Sequence, residues 1–190
     1  MKIKEDKFIK GLIIALVPLI LLSIAIDVVL IDFFIDARTN TFDKVFVFLS
    51  QIFTKGIIFI LVLLLLFKKG CRKCIWPWIF TAALASAVVY VLKNIIKTPR
   101  PFETYPYISN LILVNGFSFP SGHATLIFAA LPLLFMTYPR QRWLFFIIAL
   151  ILALSRIYLG VHYVSDILAG MFIGLLAASI VLLIRSKMKN

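Results

Sequence analysis

The chain has 190 residues, 63% of them hydrophobic, with a mean hydropathy of +1.07 and a formal net charge of +12. A soluble domain is nearer half apolar, so the composition excludes a soluble globular protein and reads as one integral membrane domain over residues 1–190. The basic residues gather at Lys2, Lys4, Lys7 and Lys10, at Lys68, Lys69, Arg72 and Lys73, at Arg140 and Arg142, and at Arg185, Lys187 and Lys189. These clusters fall at alternate ends of successive apolar segments, which is the positive-inside pattern of a multi-pass protein. The partner they imply is the lipid bilayer and not nucleic acid, and both termini are expected on the cytoplasmic side of the cell membrane.

Length and hydropathy predict an all-α polytopic membrane protein with about six transmembrane helices. The first is expected over Gly11–Ile31, and it lacks the small-residue cleavage site of a signal peptide. Asp32, Asp36, Arg38, Asn40 and Asp43 follow as a polar, acidic outer loop. Next comes either an interfacial amphipathic helix at Val45–Phe53 with a short span at Thr54–Phe67, or one tilted helix over Asp43–Phe67 in which Lys55 snorkels. Cys71 and Cys74 form a lone C-x-x-C among basic residues; a zinc site wants two further ligands nearby, so they read as two reduced loop thiols.

The third span runs over Ile75–Lys97, anchored by Trp76 and Trp78 and ended by Pro99 and Pro101. An outer loop, Thr98–Phe119, carries Tyr105, Tyr107, Phe117 and Phe119, which either contact lipid chains or anchor in the interface. Further helices are expected at Pro120–Tyr138, Trp143–Tyr158 and His162–Ile184. With the amino terminus inside, three inter-helix junctions meet at the extracytoplasmic rim, and each carries a polar motif.

The first motif is Lys93, six residues, then Arg100-Pro101. Lys93 and Lys97 share a helix face, and the flexible Lys93 stem can lift its ammonium to the rim beside Arg100; Lys97 alone reads as a snorkelling anchor. The second is Pro120-Ser121-Gly122-His123. Proline suits a first helical turn, the amides of Ser121 and Gly122 then face outward as an anion site, and Gly122 admits close approach to the backbone. The third is Ser155-Arg156, five residues, His162, three residues, Asp166. His162 and Asp166 are four apart, so the carboxylate can accept from one ring nitrogen and leave the other to attack. Arg156 offers a planar fork for phosphate oxygens. Each motif alone has a bland reading as a helix end or a cap. Eleven specified identities in order on one side of the membrane do not arise by chance.

The three motifs resemble the signature of the type 2 phosphatidic acid phosphatase superfamily, over about Lys93 to Gly170, with no signature residue missing. The resemblance implies a lipid phosphatase acting through a phosphohistidine, with no metal and no other cofactor. It makes His162 the nucleophile, Asp166 its orienting partner, and His123 the acid for the leaving group and then the base for water. Lys93, Arg100, Ser121, Gly122 and Arg156 would hold the phosphate. A competing metal site of His123, His162 and Asp166 is disfavoured by the three converging cations. The compact loop and the Phe117-Ser118-Phe119 lead-in are similar to small prokaryotic members acting on undecaprenyl diphosphate or phosphatidylglycerol phosphate. The alternatives are a phosphotransferase that passes the phosphate to another lipid, and a non-catalytic lipid-binding membrane relative.

Overall fold

A computed structural model describes residues 7–50 and 75–188. The expected span at Thr54–Phe67, Lys55, the basic cluster at residues 68–73 and the Cys71/Cys74 pair lie outside the described residues. Among those described, the protein is helical without strands: α1 (Lys7–Asp36), α2 (residues 40–50), α3 (Ile75–Ile96), α4 (Pro101–Thr104), α5 (Gly122–Thr137), α6 (Arg142–Tyr158) and α7 (Val164–Lys187). Four of the described helical segments are long and apolar enough to cross a membrane: those of α1, α3, α6 and α7.

Several boundaries differ from the sequence reading, and hydrogen bonds explain them. α1 runs through the expected acidic loop as far as Asp36, and only residues 37–39 separate it from α2. Arg38 makes that turn: its Nε and Nη2 donate to the Tyr158 carbonyl (2.9 and 2.7 Å) and Nη1 donates to the Ser109 carbonyl (2.7 Å). Charge expected to face water is therefore spent on the ends of two other segments. α4 interrupts the loop expected over Thr98–Phe119. The Arg100 amide donates to Glu103 Oε2 (2.8 Å) and the Glu103 amide to the Arg100 carbonyl (3.0 Å), satisfying helix-start groups reciprocally.

α5 is the centre of the bundle. It is apolar all round, and from Ala124 to Thr137 only Leu126 and Met136 keep partial exposure. A helix with no polar face belongs inside the protein, and α3, α6 and α7 enclose this one. At 16 residues it is about 24 Å long, short of a bilayer core.

Its closest partner is α7, where Gly170 and Gly174 lie one turn apart. A Cβ on Gly170 would stand 2.6 Å from the Ser121 carbonyl oxygen, and one on Gly174 2.3 Å from that of Thr125 and 2.7 Å from the Ala129 amide nitrogen. Two glycines four residues apart let the backbones touch, and in a membrane such contact holds helices together because burial from lipid adds no hydrophobic drive.

One end of the bundle gathers α1 and α5–α6 in an aromatic group of Phe8, Trp143 and Phe146, with Phe8 also 6.2 Å from Phe135. At the other end the Lys93, Ser121 and His162 regions meet. Deeper in that half, Asp27 of α1 accepts from the Ser165 amide (2.9 Å) and from the Ser165 hydroxyl. Asp27 lies nine residues before the end of α1, about 13 Å along the axis, so α1 extends past the start of α7.

Candidate active site

The third motif forms where α7 begins. His162 precedes the helix and is not its first residue: Tyr163 is the N-cap and Asp166 occupies the third position. Asp166 Oδ2 accepts from the Tyr163 amide (2.9 Å), which closes the helix start. The same oxygen lies 3.1 Å from His162 Nδ1. Because a carboxylate accepts only, Nδ1 carries the proton and Nε2 keeps its lone pair. His162 and Asp166 are 3% and 1% exposed, so water does not compete for this bond. Burial is also the largest influence on the imidazole: it pushes His162 down to about 4, against the hydrogen bond and charge of Asp166, and Arg100 and Arg156 push the same way as burial. The ring is neutral at pH 7, the form whose Nε2 lone pair is free.

Ser118 is the member of this group that sequence reasoning passed over. Its Oγ donates to Asp166 Oδ2 and lies 3.3 Å from His162 Nδ1. Its amide donates to the Thr98 carbonyl (2.8 Å), and its own carbonyl accepts from Lys93 Nζ (2.9 Å). One buried serine thus ties the loop before α5 to the His162–Asp166 pair at the start of α7. The available signal was its place in Phe117-Ser118-Phe119, one step before Pro120; nothing in that spacing names its partners, 44 and 48 positions away.

The second motif behaves differently from expectation in one respect. Ser121 is the N-cap of α5, with its Oγ accepting from the Ala124 amide (3.4 Å), so Pro120 lies outside the helix. The Ser121 amide does not face outward for an anion; it donates to the Asp166 carbonyl (3.0 Å) and locks the start of α5 to that of α7. Gly122 is the first helical residue. A Cβ there would meet only Val89 Cγ1, at 3.8 Å, so packing within the protein does not demand glycine. His123 follows, within electrostatic reach of Arg156, His162, Arg100 and Lys93.

Two of the three cations are held by backbone carbonyls. Lys93 Nζ donates to Ser118 and to Phe117. Arg100 donates from Nε to Gly116 (2.8 Å), from Nη1 to Val161 (2.8 Å) and from Nη2 to Asn115 (3.1 Å). That engages three of five N–H groups and fixes both the loop before α5 and the residue before His162. Arg156 Nη1 donates to Ser50 Oγ of α2 (2.6 Å), while its Nε is buried with no hydrogen-bond partner among the described residues. A buried charged donor left unpaired is costly, and an oxyanion would relieve it. Asp166 Oδ1 is likewise buried and unpartnered. Among the described residues no three His, Cys, Asp or Glu side chains group as a metal site requires. All eight residues singled out in the sequence therefore lie at one end of the bundle; seven are linked by hydrogen bonds or by mutual electrostatic influence, and Gly122 lies between Ser121 and His123.

Comparison with known proteins places this arrangement. A family model described as the PAP2 superfamily matches residues 75–189. An undecaprenyl-diphosphatase of Sulfolobus acidocaldarius is 30% identical over 139 residues, covering 70% of this chain and 66% of that protein. The crystal structure of Aquifex aeolicus LpxE superposes with a TM-score of 0.74 at 24% identity, covering 83% of this chain and 94% of that one. That of a transmembrane PAP2-type phosphatidylglycerolphosphate phosphatase from Bacillus subtilis gives 0.71 at 22% identity, covering 94% and 98%. These two share the fold. The chain spans 41% to 66% of the length of the first curated relatives it matches.

Proposed function

Because the chain belongs to the PAP2 superfamily, we propose that it is a membrane lipid phosphatase working through a phosphohistidine at His162, without a metal. The observation that carries the reading is the buried His162–Asp166 bond, 3.1 Å long, within electrostatic reach of Arg100 and Arg156.

The step runs as follows. His162 Nε2 attacks phosphorus, a P–N bond forms, and the bond from phosphorus to the leaving oxygen breaks; His123 gives that oxygen its proton. Asp166 holds the imidazolium that results. A water then attacks phosphorus, the P–N bond breaks, His123 takes the water proton, and phosphate leaves with His162 neutral again. Lys93, Arg100, Arg156, the Ser121 hydroxyl and the Gly122 amide supply the positive surface that spreads transition-state charge. The tethering of Lys93 and Arg100 to carbonyls supports this, since donors fixed in advance need no rearrangement during reaction.

The substrate class is a phosphate or diphosphate on a lipid, with undecaprenyl (polyprenyl) diphosphate and phosphatidylglycerol phosphate the leading members. The names of the relatives and the apolar helices around the site favour an amphiphile. The positive-inside pattern of the sequence supports a site at the extracytoplasmic rim of the cell membrane, with both termini in the cytoplasm. Purified protein in detergent with chelator should release phosphate from these lipids, His162→Ala should abolish release, and His123→Ala should slow or trap the phosphoenzyme. Full activity in His162→Ala, or strict dependence on added metal, overturns the mechanism. Release only when an acceptor lipid is present identifies a phosphotransferase instead.

A further inference from the structure

At the end of the bundle away from the histidines, α3 and α7 border an apolar groove of about 680 Å³. Trp76, Phe80 and Leu84 form one wall, Val181 and Ile184 the other, and the charged residue lining it is Arg185. The level is fixed by Leu182, which packs with Trp78 and Leu134 in a cluster joined by Tyr138, directly before the turn at Pro139–Gln141. An arginine near the end of a membrane helix ordinarily snorkels to water. Arg185 does not do so completely: its Nη1 is shielded from solvent and has no hydrogen-bond partner among the described residues. Guanidinium stays charged at any physiological pH and carries only donors, so a phosphate oxygen at the groove would supply an acceptor that the described residues do not.

The two halves of the site constrain the ligand together. A bare hydrocarbon chain suits the groove and leaves the guanidinium unpaired. A free phosphate suits the guanidinium and leaves the groove unused. A zwitterionic headgroup brings its own cation beside Arg185, and Lys187 two residues on adds to that repulsion. We propose that this groove binds an anionic diacyl phospholipid, with an acyl chain between α3 and α7 and the phosphate on Arg185. Trp76, 66% exposed, stands at the headgroup level where an amphipathic ring belongs. This site lies on the opposite membrane face from the catalytic residues, so the lipid held there is not the one being hydrolysed.

The test is native mass spectrometry of the full chain in detergent, with phosphatidylglycerol and phosphatidylcholine of equal chain length. Phosphatidylglycerol adducts should exceed phosphatidylcholine adducts by about fivefold, the order expected for one basic residue at an anionic headgroup. Arg185→Gln should bring the two lipids level, while Val181→Trp, which fills the groove, should lower both. Arg156→Gln, which disables the catalytic end, should leave the preference intact. Lipid-free melting of each variant within a few degrees of the parent shows that folding is preserved, and Arg185→Lys serves as the milder change, expected to retain part of the preference. Equal retention of both lipids by the parent overturns the proposal. So does a preference that survives Arg185→Gln, one lost in Arg156→Gln, or a dimer that replaces the lipid adduct.

Discussion

Removing the Ser118 hydroxyl tests the site at its least obvious joint. Ser118→Ala deletes the donor to Asp166 Oδ2 and the oxygen 3.3 Å from His162 Nδ1, yet leaves intact the two backbone bonds that hold the loop, from the Ser118 amide to Thr98 and from Lys93 to the Ser118 carbonyl. A hydrogen bond to a charged group contributes about 1.5–3 kcal/mol. If that whole contribution acts on the transition state, it corresponds to about 10- to 150-fold in rate. The Tyr163 amide and His162 remain on Oδ2, so the carboxylate keeps two of its three donors and the lower half of the range is expected. The loss should appear in kcat, because Ser118 contacts the Nδ1 side of the ring and not Nε2, the nitrogen proposed to attack. Quenched-flow measurement of phosphoenzyme formation on a lipid phosphate, beside steady-state kcat and KM, separates these quantities. Phosphoenzyme forming at the parent rate, with kcat within about twofold, would refute the assignment of Ser118 as a positioning residue.

Two further outcomes follow from the same geometry. The His162 ring is held at about 4, below the 6.5 of an unburied imidazole, so the unfolded chain binds the proton more readily across that interval. Stability is therefore complete above pH 6.5 and declines as pH falls from 6.5 to 4, and the acid limb of kcat/KM should lie nearer 4 than 6.5; an acid limb at 6.5 that persists in His123→Ala would contradict the buried, neutral nucleophile. Gly174→Ala places a methyl group 2.3 Å from the Thr125 carbonyl oxygen and 2.7 Å from the Ala129 nitrogen, both backbone atoms that cannot rotate aside. Overpacking of that kind costs about 1–3 kcal/mol or more, so the melting temperature in detergent should fall and activity with it, because α5 carries Ser121 and His123; an unchanged melt would mean that the helices are not in contact there.

What was legible in the sequence follows from what each signal encodes. Spacing and hydropathy located α3, α5, α6 and α7 to within a few residues, because apolar length and the prolines at 99, 101, 120 and 139 bound those segments locally. The motifs identified His123, His162, Asp166 and the three cations for the same reason: each motif lies within about a dozen residues. The partners reached through the fold were not visible. Asp27 meets Ser165 across 138 positions, Arg38 meets Tyr158 across 120, and Arg156 meets Ser50 across 106. Read alone, Asp27 looked like part of an apolar span and Arg38 like part of a water-facing loop. The Gly170–Gly174 pair was visible in principle, since a four-residue step places both on one helix face, but only the approach of α5 gives that face its meaning.

The distribution of those long-range bonds bears on how the site works. In the proposed reaction phosphate is bound and released once per turnover, so cations that relied on it for their positions would collapse onto Asp166 whenever it left. Arg100 and Lys93 are instead anchored on carbonyls of residues 115–118 and 161, groups that cannot neutralise them. Asp166, the one carboxylate in their reach from α7, is already engaged at Oδ2 by Ser118, Tyr163 and His162. The positive surface thus keeps its charge and geometry between turnovers, and electrostatic stabilisation is preorganised instead of being assembled by substrate. Arg156 differs in having a buried Nε with no hydrogen-bond partner among the described residues, so its side chain has the most to gain from an incoming oxyanion. On this argument, loss of the guanidinium fork at Arg156 weakens phosphate binding directly, whereas loss at Arg100 first loosens the loop that carries Ser118.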